Sequence, residues 1–326
     1  MTKTTGSRRN ALLIAACMVP LMGAMPAHAL EKVKVAASFV GLWDTSQPTF
    51  CKDRGEFEKA GLDVEIVSTR GGSETVQAVL VGGMDVAYSP GVNSVLAATK
   101  QGAKFKIISS EFVGQNDTLY YVDANSPIKT AKDLAGKSVG FPRPGSASEI
   151  VLFDLKKQAG IDFKMVVSGG LDATRTMLKT GQIDAAYTFP PYGMDAIAKK
   201  EIRVLFAGDD VPGLADVTNR VNIASTDFVT KRRPVAVKFM ETLDKCIDWA
   251  YANPAESVKM YAKINKIDEE IAKIAMGFYK RDALAWEIKK FDVAVQRAVE
   301  NKYIDKAPTA EELKELIDVV YLPPKK

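Results

Sequence analysis

The sequence predicts an α/β protein made of two similar lobes that face a shared cleft. The first observation is a repeat: residues 71–89 read GGSETVQAVLVGGMDVAYS, and residues 169–188 read GGLDATRTMLKTGQIDAAYT. Each copy contains a Gly-Gly pair, a short helical run, a glycine turn and a D-x-A-Y segment. The second observation is that strand and helix patterns alternate along both halves, which is typical of a mainly parallel sheet. We interpret the repeat as a duplicated supersecondary unit, one copy in each lobe.

The elements of the first half follow in regular order. Strand patterns occupy residues 32–37, 62–67, 85–88 and 105–109, with alternating or continuous apolar residues. Between them we expect one helix over residues 50–60 that ends at a glycine, a second that begins at Gly72 or Ser73, and a third over residues 91–101.

The second half restarts the same pattern. Strands are expected at residues 118–122, 138–141, 164–167, 184–187 and 202–206, and a strand at residues 221–225 leads back to the first lobe. Short helices are expected at residues 127–134 and, after residues 143–148, up to residue 159. Beyond Arg233 we expect helix throughout, with helices opened by Pro234 and by Asn253-Pro254.

The N-terminus has the order of a secretory signal peptide. Three basic residues precede an apolar stretch, which closes with Ala27-His28-Ala29. The stretch is shorter than the roughly 20 residues that a spanning helix needs. We therefore expect cleavage after Ala29 and export to the periplasm, with the choice between the general and the twin-arginine route left open.

Composition then excludes several classes of function. Without the first 29 residues the chain holds 41 basic against 40 acidic residues, so nothing in the net charge favours nucleic acid. His28 is the only histidine, and its removal excludes a His-based catalytic triad and a His-containing zinc site. Cys51 and Cys246 are expected as two buried thiols, with a disulfide as the alternative. We expect no cofactor and no metal.

The helix starts after the predicted strands indicate an anionic ligand. A helix N-terminus carries unpaired N–H groups and a partial positive charge, and glycine lets a ligand approach them closely. Gly72-Ser73, Gly145-Ser146 and Gly169-Gly170 are three such starts. In open α/β sheets these turns meet at the carboxyl edge of the strands, so we expect an oxygen-rich anion to bind between the lobes.

Ordered motifs along most of the chain identify a family. They are residues 52–66, the first copy of the repeat, residues 125–140, Gly181-Gln-Ile-Asp-Ala185 and Pro191-Tyr192. The chain resembles the periplasmic substrate-binding proteins of ABC importers for nitrate, sulfonates, taurine and thiamine-pyrimidine precursors. The resemblance implies a two-lobe clamp of the type II periplasmic-binding fold that delivers a small molecule to a membrane permease and its ATPase, and we expect a monomer.

The resemblance also implies the limits of the lobes and the residues of the site. Residues 1–29 would be the signal peptide, 30–115 and 225–326 lobe 1, and 116–224 lobe 2. The site residues carried over from the family are Phe39, Trp43, Asp44, Gly72, Ser73, Ser89 and Asn93 in lobe 1, and Arg143, Ser146, Ser148, Phe189 and Tyr192 in lobe 2. Gln115 and Asn116 lie near the first crossing between the lobes and could reach the cleft.

Two departures from the family pattern bear on the ligand. The loop at residues 39–47 lacks the Asp-Trp-x-Pro-Asn form of pyrimidine-precursor binders, and Phe189-Pro-Pro-Tyr192 lacks the aspartate that often precedes Pro-Tyr in sulfonate binders. With Arg143 kept, the pattern favours a partly aromatic sulfonate or carboxylate over nitrate. A neutral heterocycle such as a thiamine pyrimidine precursor is the alternative. An enzyme on the same fold and a ligand-sensing module are the rivals from other classes.

Overall fold

The computed structural model describes residues 1–3, 29–39, 41–99, 104–144 and 146–324. The expected signal peptide lies almost wholly outside the described residues, as does Gly145. The strands are β1 Glu31–Ala37, β2 Leu62–Ser68, β3 Val86–Tyr88, β4 Phe105–Val113, β5 Leu119–Asp123, β6 Ser138–Phe141, β7 Lys164–Val167, β8 Ala186–Thr188, β9 Ile202–Ala207 and β10 Thr218–Ser225.

Helices cover the sheets and make up most of the C-terminal part. They are α1 Gln47–Asp53, α2 Glu56–Lys59, α3 Gly72–Leu80, α4 Val92–Thr99, α5 Ala147–Ala159, α6 Leu171–Lys179, α7 Met194–Ala198, α8 Thr226–Lys231, α9 Arg233–Ala252, α10 Pro254–Asn265, α11 Glu269–Met276, α12 Phe291–Glu300 and α13 Ala310–Leu316. Within the described part of the chain, no helix combines the length and the apolar character that crossing a membrane requires.

Both lobes contain the same five-stranded sheet. In lobe 1 the order is β2-β1-β3-β10-β4, and only β10 runs against the others. In lobe 2 a parallel bridge between Val139 and Ala185 joins β7-β6 to β8-β5-β9, and only β5 runs against the others. The mainly parallel, two-lobe α/β fold is therefore confirmed. The chain crosses between the lobes twice, at residues 114–118 and 208–217.

The repeat is reproduced in hydrogen bonds as well as in sequence. The aspartate of each D-x-A-Y segment accepts from a backbone N–H of the parallel strand beside it: Asp85 from Lys34 of β1 at 2.9 Å, and Asp184 from Ser138 of β6 at 2.8 Å. These bonds place the two copies in equivalent positions, at β3 in lobe 1 and at β8 in lobe 2.

A hydroxyl pair then fixes each Gly-Gly turn ahead of its helix. Thr69 lies 2.6 Å from Thr75 in lobe 1, and Ser168 lies 2.6 Å from Thr174 in lobe 2. Thr75 also donates to the carbonyl of Gly71, and Thr174 donates to the carbonyl of Gly170. Both helices therefore start at the same edge of their sheets.

The structure corrects the expected elements at three places. The helix expected over residues 50–60 is divided into α1 and α2, because Gly55 takes a left-handed conformation with φ of 70°. Residues 277–290 are not helical, so the C-terminal part is not helix throughout. The returning strand β10 begins at Thr218, earlier than the expected start at residue 221, and pairs in the first sheet.

The interior of lobe 1 also contains the two cysteines. Cys51 of α1 and Cys246 of α9 form a disulfide with their Cα atoms 5.5 Å apart, which corrects the expectation of two free thiols. Around it pack large side chains such as Trp43 and Phe239, both fully buried. A separate apolar cluster that includes Val139 and Leu152 forms the core of lobe 2.

Candidate functional site

A cavity of about 590 Å³ lies between the two lobes. Its wall is built from the first loop and the α3 and α4 starts of lobe 1, from the α5 and α6 starts of lobe 2, from both crossings and from α12. The repeated strand-to-helix turns all end at this cavity because the carboxyl ends of parallel strands share one edge of each sheet. A volume of this size suits a small organic molecule.

Four helix N-termini reach the wall of the cavity. The lining residues include Gly72 at the start of α3, Asn93 in the first turn of α4, Ser146 at the start of α5 and Gly170 at the start of α6. Each of the four helices is at least eight residues long. Their unpaired N–H groups and dipoles all favour negative charge in the cavity.

The charged side chains of the wall are all basic. Arg70, Arg143, Arg220 and Arg297 line the cavity, and no aspartate or glutamate does so among the described residues. Arg143 is exposed, as Arg70 is, and differs from the other three because it makes no ion pair with a described residue. Its guanidinium faces lobe 1: a Cβ added to Gly71 would lie 3.1 Å from Nη2 of Arg143.

Arg220 instead lies over a buried group of carboxylates. Its guanidinium nitrogens are 2.7 Å from Asp117, 3.4 Å from Asp44 and 3.6 Å from Glu111. All three carboxyl groups are buried, so water cannot stabilise a negative charge on them. Burial by itself would lower the pKa of Arg220, but Asp117, Asp44 and Glu111 together raise it above its usual value.

The same burial changes the protonation of the carboxyl groups. Burial and the neighbouring Asp44 raise the pKa of Glu111 to about 8, against the attraction of Arg220. Burial also raises the pKa of Asp44, with Arg220 opposing and Asp117 adding to the increase. Glu111 is therefore mostly protonated at neutral pH, and Ser89 donates a hydrogen bond of 2.8 Å to it. The ion pairs of Arg220 with these carboxyl groups offset most of its positive charge, so we expect its attraction for a bound ligand to be weak.

Aromatic side chains form part of the cavity wall. Phe39 of lobe 1 stacks on Phe189 of lobe 2 with ring centroids 6.4 Å apart, and Phe189 meets the edge of Tyr187 at 5.9 Å. Burial raises the pKa of Tyr187 to about 12, so its hydroxyl stays protonated and donates to the carbonyl of Gly169 at 2.7 Å. These rings offer an apolar surface to the carbon skeleton of a ligand.

Nine of the sequence-predicted site residues meet at this cavity. They are Phe39, Gly72, Asn93, Gln115, Arg143, Ser146, Ser148, Phe189 and Tyr192. The hydroxyl of Ser146 caps α5 by accepting from the N–H of Glu149 at 3.2 Å, so its role there is to fix the helix start. Tyr192 lies across the cleft from Gly41, where an added Cβ would be 3.5 Å from its hydroxyl.

Five predicted residues do not line the cavity. Trp43 is fully buried in the core of lobe 1 and donates its indole N–H to Tyr251. Asp44 and Ser89 belong to the buried group beneath Arg220. Asn116 donates to the carbonyl of Phe278. Ser73 is exposed on α3 beside Ser94.

Several residues of the wall have no counterpart in the sequence-based prediction, and three of them carry polar or charged groups of particular interest. Arg220 and Asn219 lie on the returning strand β10, and Arg297 lies on α12. The side-chain nitrogen of Asn219 is buried and has no hydrogen-bond partner among the described residues, so it can donate to a ligand. Little in the sequence indicated Arg220, which directly precedes the strand expected at residues 221–225. Arg297 lies in an ordinary amphipathic helix, which gives no signal.

Comparison with known proteins agrees with this architecture. A Brucella abortus (strain 2308) protein, whose name assigns it a binding role without a ligand, is 28% identical over 252 residues, which are 75% of this chain and 76% of that protein. The 4-amino-5-hydroxymethyl-2-methylpyrimidine phosphate synthase of Aspergillus parasiticus is 20% identical over 256 residues, 71% of each chain. The relatives therefore include both a binding protein and an enzyme.

A solved structure matches a larger share of this chain than these sequence relatives do. The crystal structure of the periplasmic aliphatic sulphonate binding protein SsuA from Escherichia coli superposes with a TM-score of 0.75 at 20% identity, over 88% of this chain and 97% of that chain. This similarity confirms the periplasmic-binding-protein fold. The family model described as NMT1/THI5 like matches residues 49–257, well over half of the sequence. The chain is a member of the NMT1/THI5-like family.

Proposed function

We propose that this protein is the exported solute-binding component of an ABC importer, and that it captures a small organic anion between its lobes. The observation that carries the proposal is the charge of the cavity wall. Four helix N-termini and four arginines reach it, and no described carboxylate does. An anion placed there would be favoured by the helix dipoles and by charge-assisted hydrogen bonds.

Arg143 is the residue that we expect to bind the anionic group. Arg70 is paired with Glu74, Arg220 with the buried carboxylates and Arg297 with Asp154, so three of the four arginines are already neutralised. One unneutralised arginine, together with the helix starts, suits a single negative charge. A monoanion such as a sulfonate or a carboxylate fits this balance better than a dianion.

The remainder of the wall supports an apolar carbon skeleton. The Phe39–Phe189 pair lies at one side of the cavity, and Ile150, Leu214 and Val217 also line it. Apolar walls with a few placed polar groups are usual for sites that bind small organic ligands. The Escherichia coli structure with the same fold is named for aliphatic sulfonates, which are anions with such a skeleton.

Partners and location follow from this proposal. A binding protein of an ABC importer delivers its ligand to a membrane permease that is driven by an ATPase, and the expected signal peptide would place this one in the periplasm. We propose that it acts as a monomer and performs no catalysis. The lobes would close by a hinge motion at residues 114–118 and 208–217.

A thermal-shift screen of the protein without residues 1–29 tests the proposal. The panel holds nitrate, taurine, benzenesulfonate, benzoate, short alkanesulfonates and a neutral 4-aminopyrimidine. A ligand that binds only the folded state raises the melting temperature as its concentration rises. We expect shifts with the organic anions. A shift with the pyrimidine alone would favour the alternative, a binder of a neutral heterocycle related to the pyrimidine named in the synthase relative.

A further inference from the structure

Arg297 occupies a position that joins three parts of the molecule. It lies on α12, which packs against α4 and β10 of lobe 1. Its Nη2 is 2.7 Å from a carboxylate oxygen of Asp154 on α5 of lobe 2, and the same nitrogen donates to the carbonyl of Gly213 in the second crossing at 2.9 Å. Its side chain also lines the ligand cavity.

This ion pair is well shielded from water. The side chains of Arg297 and Asp154 are 12% and 8% exposed. Burial raises the pKa of Asp154 although Arg297 opposes the increase, so the carboxylate depends on the arginine to stay charged. When one partner of such a pair is removed, the other is left buried and unpaired, which makes the pair a strong constraint on the positions of its two helices.

Two neighbouring contacts join the same two lobes. The hydroxyl of Tyr303 donates to Glu149 of α5 at 2.5 Å, and the ring of Tyr303 packs against apolar clusters of both lobes. Lys157 of α5 pairs with Glu300 of α12 at 3.2 Å, but these side chains are 63% and 40% exposed, so this pair is expected to contribute little. Arg297 is the member of this α5–α12 interface that also reaches the cavity.

The position of α5 explains why the interface bears on the ligand. Ser146 and Ser148 at the start of α5 line the cavity beside Arg143, and Ile150 follows on the same wall. Asp154 lies eight residues beyond the Ser146 cap, about 12 Å along the helix axis. A shift of α5 relative to α12 would therefore move one whole wall of the cavity against the other.

We propose that Arg297 is a positioning residue that determines ligand size. By holding α5 to α12 and to the second crossing, it sets the width of the cavity between these elements. Arg143 binds the anionic group, and the Arg297–Asp154 pair limits the bulk of the skeleton behind it. This inference rests on the proposed binding of organic anions.

The test compares two arylsulfonates of different size. Benzenesulfonate and naphthalene-2-sulfonate are titrated by calorimetry into the wild-type protein and into the variants Arg297→Gln, Asp154→Asn and Arg297→Gln/Asp154→Asn. Loss of the constraint widens the cavity. We therefore expect the affinity for benzenesulfonate to fall by about tenfold in all three variants, while that for naphthalene-2-sulfonate falls less or rises.

The sign of the Asp154→Asn effect separates positioning from charge. If Arg297 acted only by its positive charge on the anion, Arg297→Gln would lower the affinity for both ligands equally. Asp154→Asn, which removes a negative charge, would then raise the affinity for both ligands. That pattern would overturn the proposal. Lys157→Gln is the matched control, because it breaks the exposed pair of the same interface, and we expect it to leave both affinities within about twofold.

A ligand-free measurement keeps the two proposals distinguishable. If the wild-type protein bound neither arylsulfonate, the proposed ligand class would fail, but hydrogen exchange would still test Arg297. We expect amides of α5 and α12 to exchange about tenfold faster in Arg297→Gln than in the wild type, and to be unchanged in Lys157→Gln. Equal exchange in all three proteins would overturn the role of Arg297 in holding the lobes.

Discussion

At the scale of residues, one arginine carries most of the proposed binding. Arg143 is exposed and unpaired among the described residues, so Arg143→Ala should change the free energy of unfolding by no more than about 0.5 kcal/mol. It should weaken the binding of an organic anion by about 1.5–3 kcal/mol, which is the usual loss for a hydrogen bond to a charged group. Calorimetry and urea denaturation measure the two effects.

Arg70 provides the matched control for that substitution. It also lines the cavity and is exposed, but it is paired with Glu74 of α3 at 3.3 Å. We expect Arg70→Ala to lower the affinity for the anion less than Arg143→Ala does. Equal losses would mean that the cavity attracts anions by its general positive field, and would contradict a specific role for Arg143.

Glu111 leads to a prediction about pH. Its pKa is about 8 in the folded protein and near 4.5 when unfolded, so between these values folding requires the uptake of a proton. The stability contribution of this group is therefore present below pH 4.5 and is lost as the pH rises to 8. Glu111→Gln mimics the protonated group, so its stability should fall less between pH 5 and pH 8 than that of the wild type.

Urea denaturation at several pH values checks this expectation. Burial also raises the pKa of Asp44, so part of the pH dependence should persist in Glu111→Gln. Parallel stability curves for the two proteins would show that Glu111 is ionised in the folded state. Arg220 would then neutralise the buried group more completely than we infer.

Residues differ in how well the sequence predicted their roles. Arg143, Phe189 and Gly72 follow recognisable strands and reach the cavity as expected. Asp44 was expected to contact the ligand, but it is buried beneath Arg220, which approaches it from a strand 176 positions later in the chain. Sequence order does not show which buried charges will meet, so this pairing required the structure.

At the scale of elements, the two copies of the repeat should respond differently to the same substitution. A Cβ on Gly72 would lie 3.1 Å from the backbone nitrogen of Gly91, whereas a Cβ on Gly170 would have nothing within 4 Å. Gly72→Ala should therefore destabilise the protein by about 1–3 kcal/mol, because the α3 and α4 starts are already in contact. Gly170→Ala should have little effect, and urea denaturation distinguishes the two.

The duplicated elements were the most predictable part of the fold. The hydroxyl pair joins residues six positions apart in both lobes, so a short motif can specify it. The D-x-A-Y aspartate also repeats its bond to the neighbouring strand with nearly equal distances, although its partner lies 51 or 46 positions earlier. The segment at 277–290 was the least predictable. Its apolar residues Leu284 and Trp286 are buried in lobe 1 by distant parts of the chain, and not by helical periodicity.

At the scale of the whole molecule, function depends on where the lobes meet. Contacts cross the cleft at the Phe39–Phe189 stack and at the Arg297–Asp154 pair, with the cavity between them. The two-lobe arrangement was predicted from the duplication. The α5–α12 interface was not, because its two helices come from different lobes and are more than a hundred residues apart. The domain limits and the hinge motion stay predictions.

A single calorimetric comparison tests the central claim that the lobes bind an organic anion. Benzenesulfonate and benzenesulfonamide have nearly the same shape, but only the sulfonate is charged at neutral pH. The charge of the cavity wall predicts that the sulfonate binds at least about tenfold more tightly. Equal affinities, or binding of the sulfonamide alone, would contradict the claim and would assign the helix starts and Arg143 to a neutral ligand.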